Sequence, residues 1–288
     1  MRGAAGGVSA LAAVCVVAFA AAAPAATLLG ATFADGVLHD VDAATGTASN
    51  PRPVAVGATP VNFIAGIDFD AAGTLFAITS ESPNPVPNFP STLFRVDPAT
   101  GAATVVAALD EKIAEGDLTL DPASGDLLAF ARPNGLAAYR LIRIDPATGA
   151  TSLIGEVADL GIDPSGLAMT AGGTLYALDT AGDALLRLDL ADASIDASSA
   201  ISPPLGNVAG MDFDPASGFF YVADGGGSGT NSLYTLDPVT GDLDAVGATG
   251  LANGLGALAV PEPGALARGV AGAAALAVIA ARRSARLS

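Results

Sequence analysis

Five letters, Asp97-Pro98-Ala99-Thr100-Gly101, return unchanged at Asp145-Pro146-Ala147-Thr148-Gly149. Near-copies stand at Asp42-Ala43-Ala44-Thr45-Gly46 and Asp237-Pro238-Val239-Thr240-Gly241, and a degraded copy at Asp189-Leu190-Ala191-Asp192. Successive Asp positions lie roughly 44 to 55 residues apart, the period of a propeller or solenoid array. Alternating apolar runs such as Leu93-Phe94-Arg95-Val96 and Leu141-Ile142-Arg143-Ile144 precede the motif, and runs such as Thr104-Val105-Val106 follow it. The pattern is strand, turn, strand. Asp accepts a hydrogen bond from an N–H two residues on, Pro presets φ, and Gly takes the left-handed conformation. These aspartates could also be read as metal ligands, but hairpin chemistry accounts for every letter.

Between the motifs, five segments align on Gly66, Gly116, Gly166, Gly210 and Gly256, each opening an apolar strand such as Ile67-Asp68-Phe69 or Met211-Asp212-Phe213. A second strand follows (Thr74-Leu75-Phe76-Ala77, Phe219-Phe220-Tyr221-Val222), then the strands on either side of the Asp motif. Four strands per unit, labelled a to d and joined by hairpins, make a propeller blade. Glycine suits a strand start where backbones crowd at the axis. The first unit, from about Thr27 to Gly57, has no strand a, and the last fragment, Leu255 to Val260, is a strand a alone. Joined, they make one blade from both termini and close the ring, which protects its edges. The predicted fold is an all-β, five-bladed propeller with blades of about 47 residues, flanked by an N-terminal signal helix and a C-terminal transmembrane helix. A six-bladed ring and an open solenoid are the competing architectures.

The ends read as address labels. Arg2, an apolar run from Val8 to Ala23 and then Ala23-Pro24-Ala25 form a secretory signal. Residues 1–25 are the predicted signal peptide, 26–260 the propeller and 261–288 a sorting segment. Cys15, the single cysteine, lies within the leader behind Val14 and too early for a lipoprotein signal. An uncleaved N-terminal anchor is the alternative. At the C-terminus Pro261-Glu262-Pro263 precedes an apolar run, about 264–281 and interrupted by Arg268, near the lower limit for crossing a bilayer. Arg282, Arg283 and Arg286 follow and should remain cytoplasmic. This order of motif, helix and arginines resembles the PEP-CTERM sorting signal of bacteria that make exopolysaccharide. The propeller repeat resembles exported domains found among such proteins. The resemblance implies an exosortase-type processing enzyme as a partner, membrane attachment that is at least transient, residence at the cell surface or in the matrix, and extracellular polysaccharide as a partner. An ordinary C-terminal anchor is the alternative.

With 12 Lys+Arg against 29 Asp+Glu, and five of the arginines in the terminal segments, the core is strongly acidic. Such a surface repels nucleic acid and anionic lipid and gathers cations. The absence of tryptophan argues against a carbohydrate cleft built from stacked indoles.

Blade geometry puts the short a–b and c–d turns on one face and the longer b–c and d–a connections on the other. Irregular loops gathered on one face predict a binding face, against the alternative that exposed loops simply drift in length. Asn62, Glu115, Asp117, Asp163, Asn207, Asn253 and Asp224 are the candidate ligand-binding residues of that face. Their oxygens would suit calcium, and no other cofactor is expected. Asn and Asp also begin strands through local hydrogen bonds. His39 is the only histidine, which excludes a multi-histidine metal site, and its place in the repeat predicts an edge-strand residue. No G-x-S-x-G precedes a helix. The predicted role is a binding or scaffold module. The alternative is a calcium-assisted hydrolase of lactonase or glycosidase type.

Overall fold

The computed structural model describes residues 27–81, 87–132, 138–157, 164–205, 208–224 and 231–261. The predicted signal and transmembrane helices lie outside them. Every regular element among the described residues is a β-strand.

Blade one holds β1 (Thr27–Thr32), β2 (Val37–Asp42) and β3 (Ala48–Pro53); a small hairpin, β4 (Ala55–Val56) and β5 (Thr59–Pro60), follows. Blade two is β6 (Ile64–Phe69), β7 (Leu75–Thr79), β8 (Thr92–Val96) and β9 (Ala103–Ala108). Blade three is β10 (Ile113–Leu120), β11 (Leu127–Ala131), β12 (Tyr139–Ile144) and β13 (Thr151–Val157). Blade four is β14 (Pro164–Met169), β15 (Leu175–Asp179), β16 (Ala184–Leu188) and β17 (Ile195–Ala200). Blade five is β18 (Val208–Phe213), β19 (Phe220–Asp224), β20 (Ser232–Leu236) and β21 (Leu243–Ala248). The last strand, β22 (Leu255–Ala259), pairs antiparallel with β1 and completes blade one in the order β22-β1-β2-β3. The ring therefore has five four-stranded blades and closes with one strand from the far end of the chain, as the fragment count predicts.

The strand pattern explains the burial. The innermost strands β6, β10, β14, β18 and β22 pack one against the next, and β22 returns against β6. β6 and β22 are buried along their whole length, whereas β9 and β17 on the rim are exposed or half-buried at all but one position. Between blades the faces interdigitate through fully buried Phe76, Phe94, Phe130 and Phe220. Edge-to-face ring pairs such as Tyr176–Phe220 at 5.2 Å add to that packing.

The aligned glycines mark one structural event. In β6, β14 and β18 the register against the second strand slips just before Gly66, Gly166 and Gly210. Such a bulge bends the strand at the axis. A Cβ on Gly66 would sit 2.4 Å from Leu118 N in the next blade, and one on Gly210 would sit 2.7 Å from Ala257 C. Close backbone approach is therefore the reason for the glycine. In β10 the irregularity is longer, running from Ile113 to Leu118 and setting the four residues Ala114 to Asp117 against Phe130 alone.

Candidate functional site

The repeated turn aspartates act within their own turns. Asp42, Asp97, Asp145, Asp189 and Asp237 each accept the N–H two residues on through Oδ1, at 2.7–2.9 Å. Their carbonyls accept the N–H four residues on, from Gly46, Gly101, Gly149, Ala193 and Gly241. The degraded copy keeps the same turn, with Ala193 at φ 63° where the others have glycine. The a–b turns repeat the device at Asp70, Asp121 and Asp214. Asp121 also receives Arg143 Nη1 at 2.6 Å, and Arg143 holds its carboxyl below the usual carboxylate range against the upward pull of burial.

The acids that matter most to the architecture lie on the axis. Asp68, next to last in β6, accepts Leu120 N of the next blade at 2.6 Å and its own Phe69 N at 2.6 Å. Asp212, at the equivalent place in β18, accepts Val260 N at 2.6 Å and Phe213 N at 2.7 Å. Thr119 Oγ1 accepts Met169 N at 3.1 Å. Side chains thus supply acceptors that inner-edge N–H groups lack, because blades do not pair with one another by strand ladders. On the turn face a cavity of about 170 Å³ opens over this layer, lined by Asp68, Thr119, Met169, Asp212, Phe213 and Val260 among others. The sequence reading passed over Asp68 and Asp212. The available signal was an acid in the centre of an otherwise apolar strand a, at Ile67-Asp68-Phe69 and Met211-Asp212-Phe213.

The predicted loop-face residues divide. Asn62 Oδ1 accepts Asn88 N at 2.8 Å and ties the d–a connection of blade one to the b–c loop of blade two. Asn253 is exposed before β22, and Asp224 is half-buried at the end of β19. Asp117 is buried on the axis, where its carboxyl meets backbone N–H groups. Glu115 lies in β10, with its side chain outside the described set; Asp163 and Asn207 lie outside the described residues altogether. The sorting residues Glu262, Pro263, Arg282, Arg283 and Arg286 also lie outside them, and Pro261 is the last residue inside. At the equivalent places in blades two and three the loop-face mouth is apolar: Phe63 is buried in edge contact with Phe33 at 5.4 Å, and Ile113 is buried. Among the described residues no group of three or more His, Cys, Asp or Glu is placed to hold a metal ion.

Two further clusters sit around this face. In blade two Ser91, at φ 40°, donates to Glu81 at 3.0 Å and accepts Ile113 N at 3.1 Å, while Lys112 pairs with Glu81 at 2.7 Å. In blade one buried Arg52 pairs with Asp40 at 2.7 Å beside His39. His39 lies in β2, between β1 and β3, so it is an interior residue of the blade rather than an edge one. Burial, more than any neighbour, pushes its pKa down.

No family model matches the chain, and no curated protein matches it. Solved structures do. The nidogen/laminin complex is matched at 15% identity over 83% of this chain and 86% of that one, with a TM-score of 0.52. A protein of unknown function from Bacteroides caccae is matched at 14% identity over 83% and 100%, with a TM-score of 0.50. TolB from Acinetobacter baumannii is matched at 16% identity and a TM-score of 0.49; the chain spans 54% of its length. At these identities the likeness is one of fold: a β-propeller.

Proposed function

We propose that the chain is an exported β-propeller that binds an extracellular polymer with its loop face, while a C-terminal sorting segment ties it, at least transiently, to the membrane. The observation that carries this reading is the position of the two ends of the ring. β1 begins at Thr27 and β22 ends at Ala259, and the register sets Leu29 beside Ala259. Both ends leave blade one on the turn face. A leader before residue 27 and an anchor after residue 260 would attach there, and the irregular loop face would point away from the bilayer. The turn face carries Asp42, Asp97, Asp145, Asp189 and Asp237, so anionic headgroups would hold it off rather than bury it. In this reading an exosortase-type enzyme acts at Pro261-Glu262-Pro263, and Arg282, Arg283 and Arg286 stay on the cytoplasmic side.

The axial acids support binding over hydrolysis. Asp68 and Asp212 each already accept two backbone N–H groups that join blades. Both oxygens of each carboxylate are thus engaged in joining blades, a structural task that accounts for the acid at each position. Matrix polysaccharide is the polymer class we assign to the loop face. The test is the thermal midpoint of the protein with calcium, with polysaccharide from the host matrix, and with neither. A ligand that binds only the folded state at about one hundred times its dissociation constant adds about 2.7 kcal/mol. A rise with polysaccharide is the expected result. No rise with any polysaccharide removes the binding reading, and a calcium-dependent rise with turnover of a lactone replaces it with a hydrolase.

A further inference from the structure

Asp117 is the last residue of the long β10 bulge. It takes φ 70°, a conformation that a non-glycine residue keeps only where its surroundings impose it. Its side chain is buried and joins three blades. Oδ2 accepts Met211 N of blade five at 2.8 Å, and Oδ1 accepts Leu118 N of blade three at 2.9 Å and Ile67 N of blade two at 3.4 Å. The Met211 bond links residues 94 positions apart in sequence. No other hydrogen bond described for this ring reaches past the neighbouring blade.

Few charges face it. β6 presents Asp68 and β18 presents Asp212; β11, β14 and β22 carry no titratable residue; β10 itself also carries Glu115. No inner strand carries a Lys, Arg or His. Three carboxyl groups therefore share the axis without a basic residue among the five strands that form it. Nearby like charges of this kind disfavour ionisation of the buried Asp117 carboxyl.

We propose that Asp117 is a proton-dependent latch: it keeps its proton in the closed ring, and the ring loosens as the medium passes from acid to alkaline. Burial pushes its carboxyl well above the usual carboxylate range, and Asp212 and Asp68 push the same way. The Met211 and Leu118 N–H groups oppose them without prevailing. The sign follows. An unfolded Asp titrates near pH 3.9. A group whose pKa is raised on folding lends its full stability below that value and loses it as pH climbs through the folded value. Within that window each pH unit weakens the folding equilibrium by up to about tenfold. An exported protein holding this latch is most tightly closed in an acidified matrix.

The experiment is denaturant unfolding of the full-length protein between pH 4.5 and 8.5, for the native chain and for Asp117→Asn. The native folding constant should fall as pH rises, by up to about tenfold per unit. The amide cannot titrate, so the variant should lose that slope. It should also be less stable at every pH, because its nitrogen faces an N–H that needs an acceptor. If the variant does not fold, infrared spectroscopy of the native protein decides: as pH rises, the folded state should keep the carbonyl band of a protonated carboxyl group to a higher pH than the unfolded state does. A native slope that is flat or rising over this range overturns the proposal. So does a folded variant that keeps the slope, or a protonated band that the folded state loses at no higher pH than the unfolded state.

Discussion

Replacing Gly66 by alanine tests the packing at the axis directly. The new Cβ would lie 2.4 Å from Leu118 N, 2.5 Å from Asp117 C and 2.7 Å from Leu118 Cβ, where ordinary contact begins at 3.4 Å. Two of these three atoms are backbone, so relief requires β6 and β10 to part by about 1 Å. That movement stretches the Leu120 N to Asp68 bond, now 2.6 Å. Overpacking costs about 1–3 kcal/mol, and weakening a hydrogen bond to a charged group costs about 1.5–3 kcal/mol in full. Reduced chain entropy in the unfolded state returns about 0.4–1 kcal/mol. The net loss should be about 3 kcal/mol, a large share of the usual 5–15 kcal/mol. Urea unfolding reads it as a midpoint lowered by about 1 M for a slope near 3 kcal/mol/M. Gly166→Ala should lose less, because its nearest neighbours are side-chain atoms, Met211 Cβ at 2.9 Å and Leu178 Cδ1 at 3.2 Å. Gly172→Ala, whose Cβ meets nothing nearer than 3.8 Å, should be neutral or slightly stabilising. A midpoint for Gly66→Ala equal to that of Gly172→Ala would show that close approach at the axis is not why glycine stands there.

Four other outcomes follow from the same geometry. Asp237→Ala leaves the Val239 and Thr240 N–H groups without their side-chain acceptor and should cost about 1 kcal/mol in denaturant unfolding. Asp121→Asn weakens the Arg143 bond at a buried carboxyl and should cost about 1.5–3 kcal/mol, whereas Val239→Lys, at 85% exposure, should stay within about 0.5 kcal/mol. Asp40 and Asp121 have pKa values held down in the folded state, so the stability they lend is present above about pH 4 and lost as pH falls through their folded values. That acid limb lies below the window assigned to Asp117, and a pH titration of the unfolding midpoint should show a maximum between the two. If the anchor lies beyond the turn face, a cysteine placed at Asn253 should react with a bulky impermeant thiol reagent on intact cells faster than one placed at Val239; equal rates would argue against that orientation.

What the chain reveals on inspection depends on how far each interaction reaches. The Asp-Pro-Ala-Thr-Gly turns were legible because their bonds span two to four residues, and Ala191 N on Asp189 shows that even the degraded copy keeps them. The repeating glycine was legible because lack of a side chain has few structural causes, and a bulge at a crowded axis is one of them. Ring closure followed from counting strands, since a unit lacking strand a and a strand a lacking its unit complete each other. The axial acids obey a different rule. Asp68 meets Leu120 at a separation of 52 residues, Asp212 meets Val260 at 48, and Asp117 meets Met211 at 94. Nothing within a single blade says which N–H groups face the axis unpaired, and the register of the neighbouring blade decides it. Asp117 shows the consequence most sharply. As a letter it is an acid beside a strand-opening glycine, equally suited to a loop-face mouth. The longer bulge of β10 leaves it left-handed and inward, where its oxygens answer backbone donors from three blades. An acid in the middle of an apolar inner strand of a repeat ring is therefore better read first as an acceptor for the next blade, and only then as a ligand for something else.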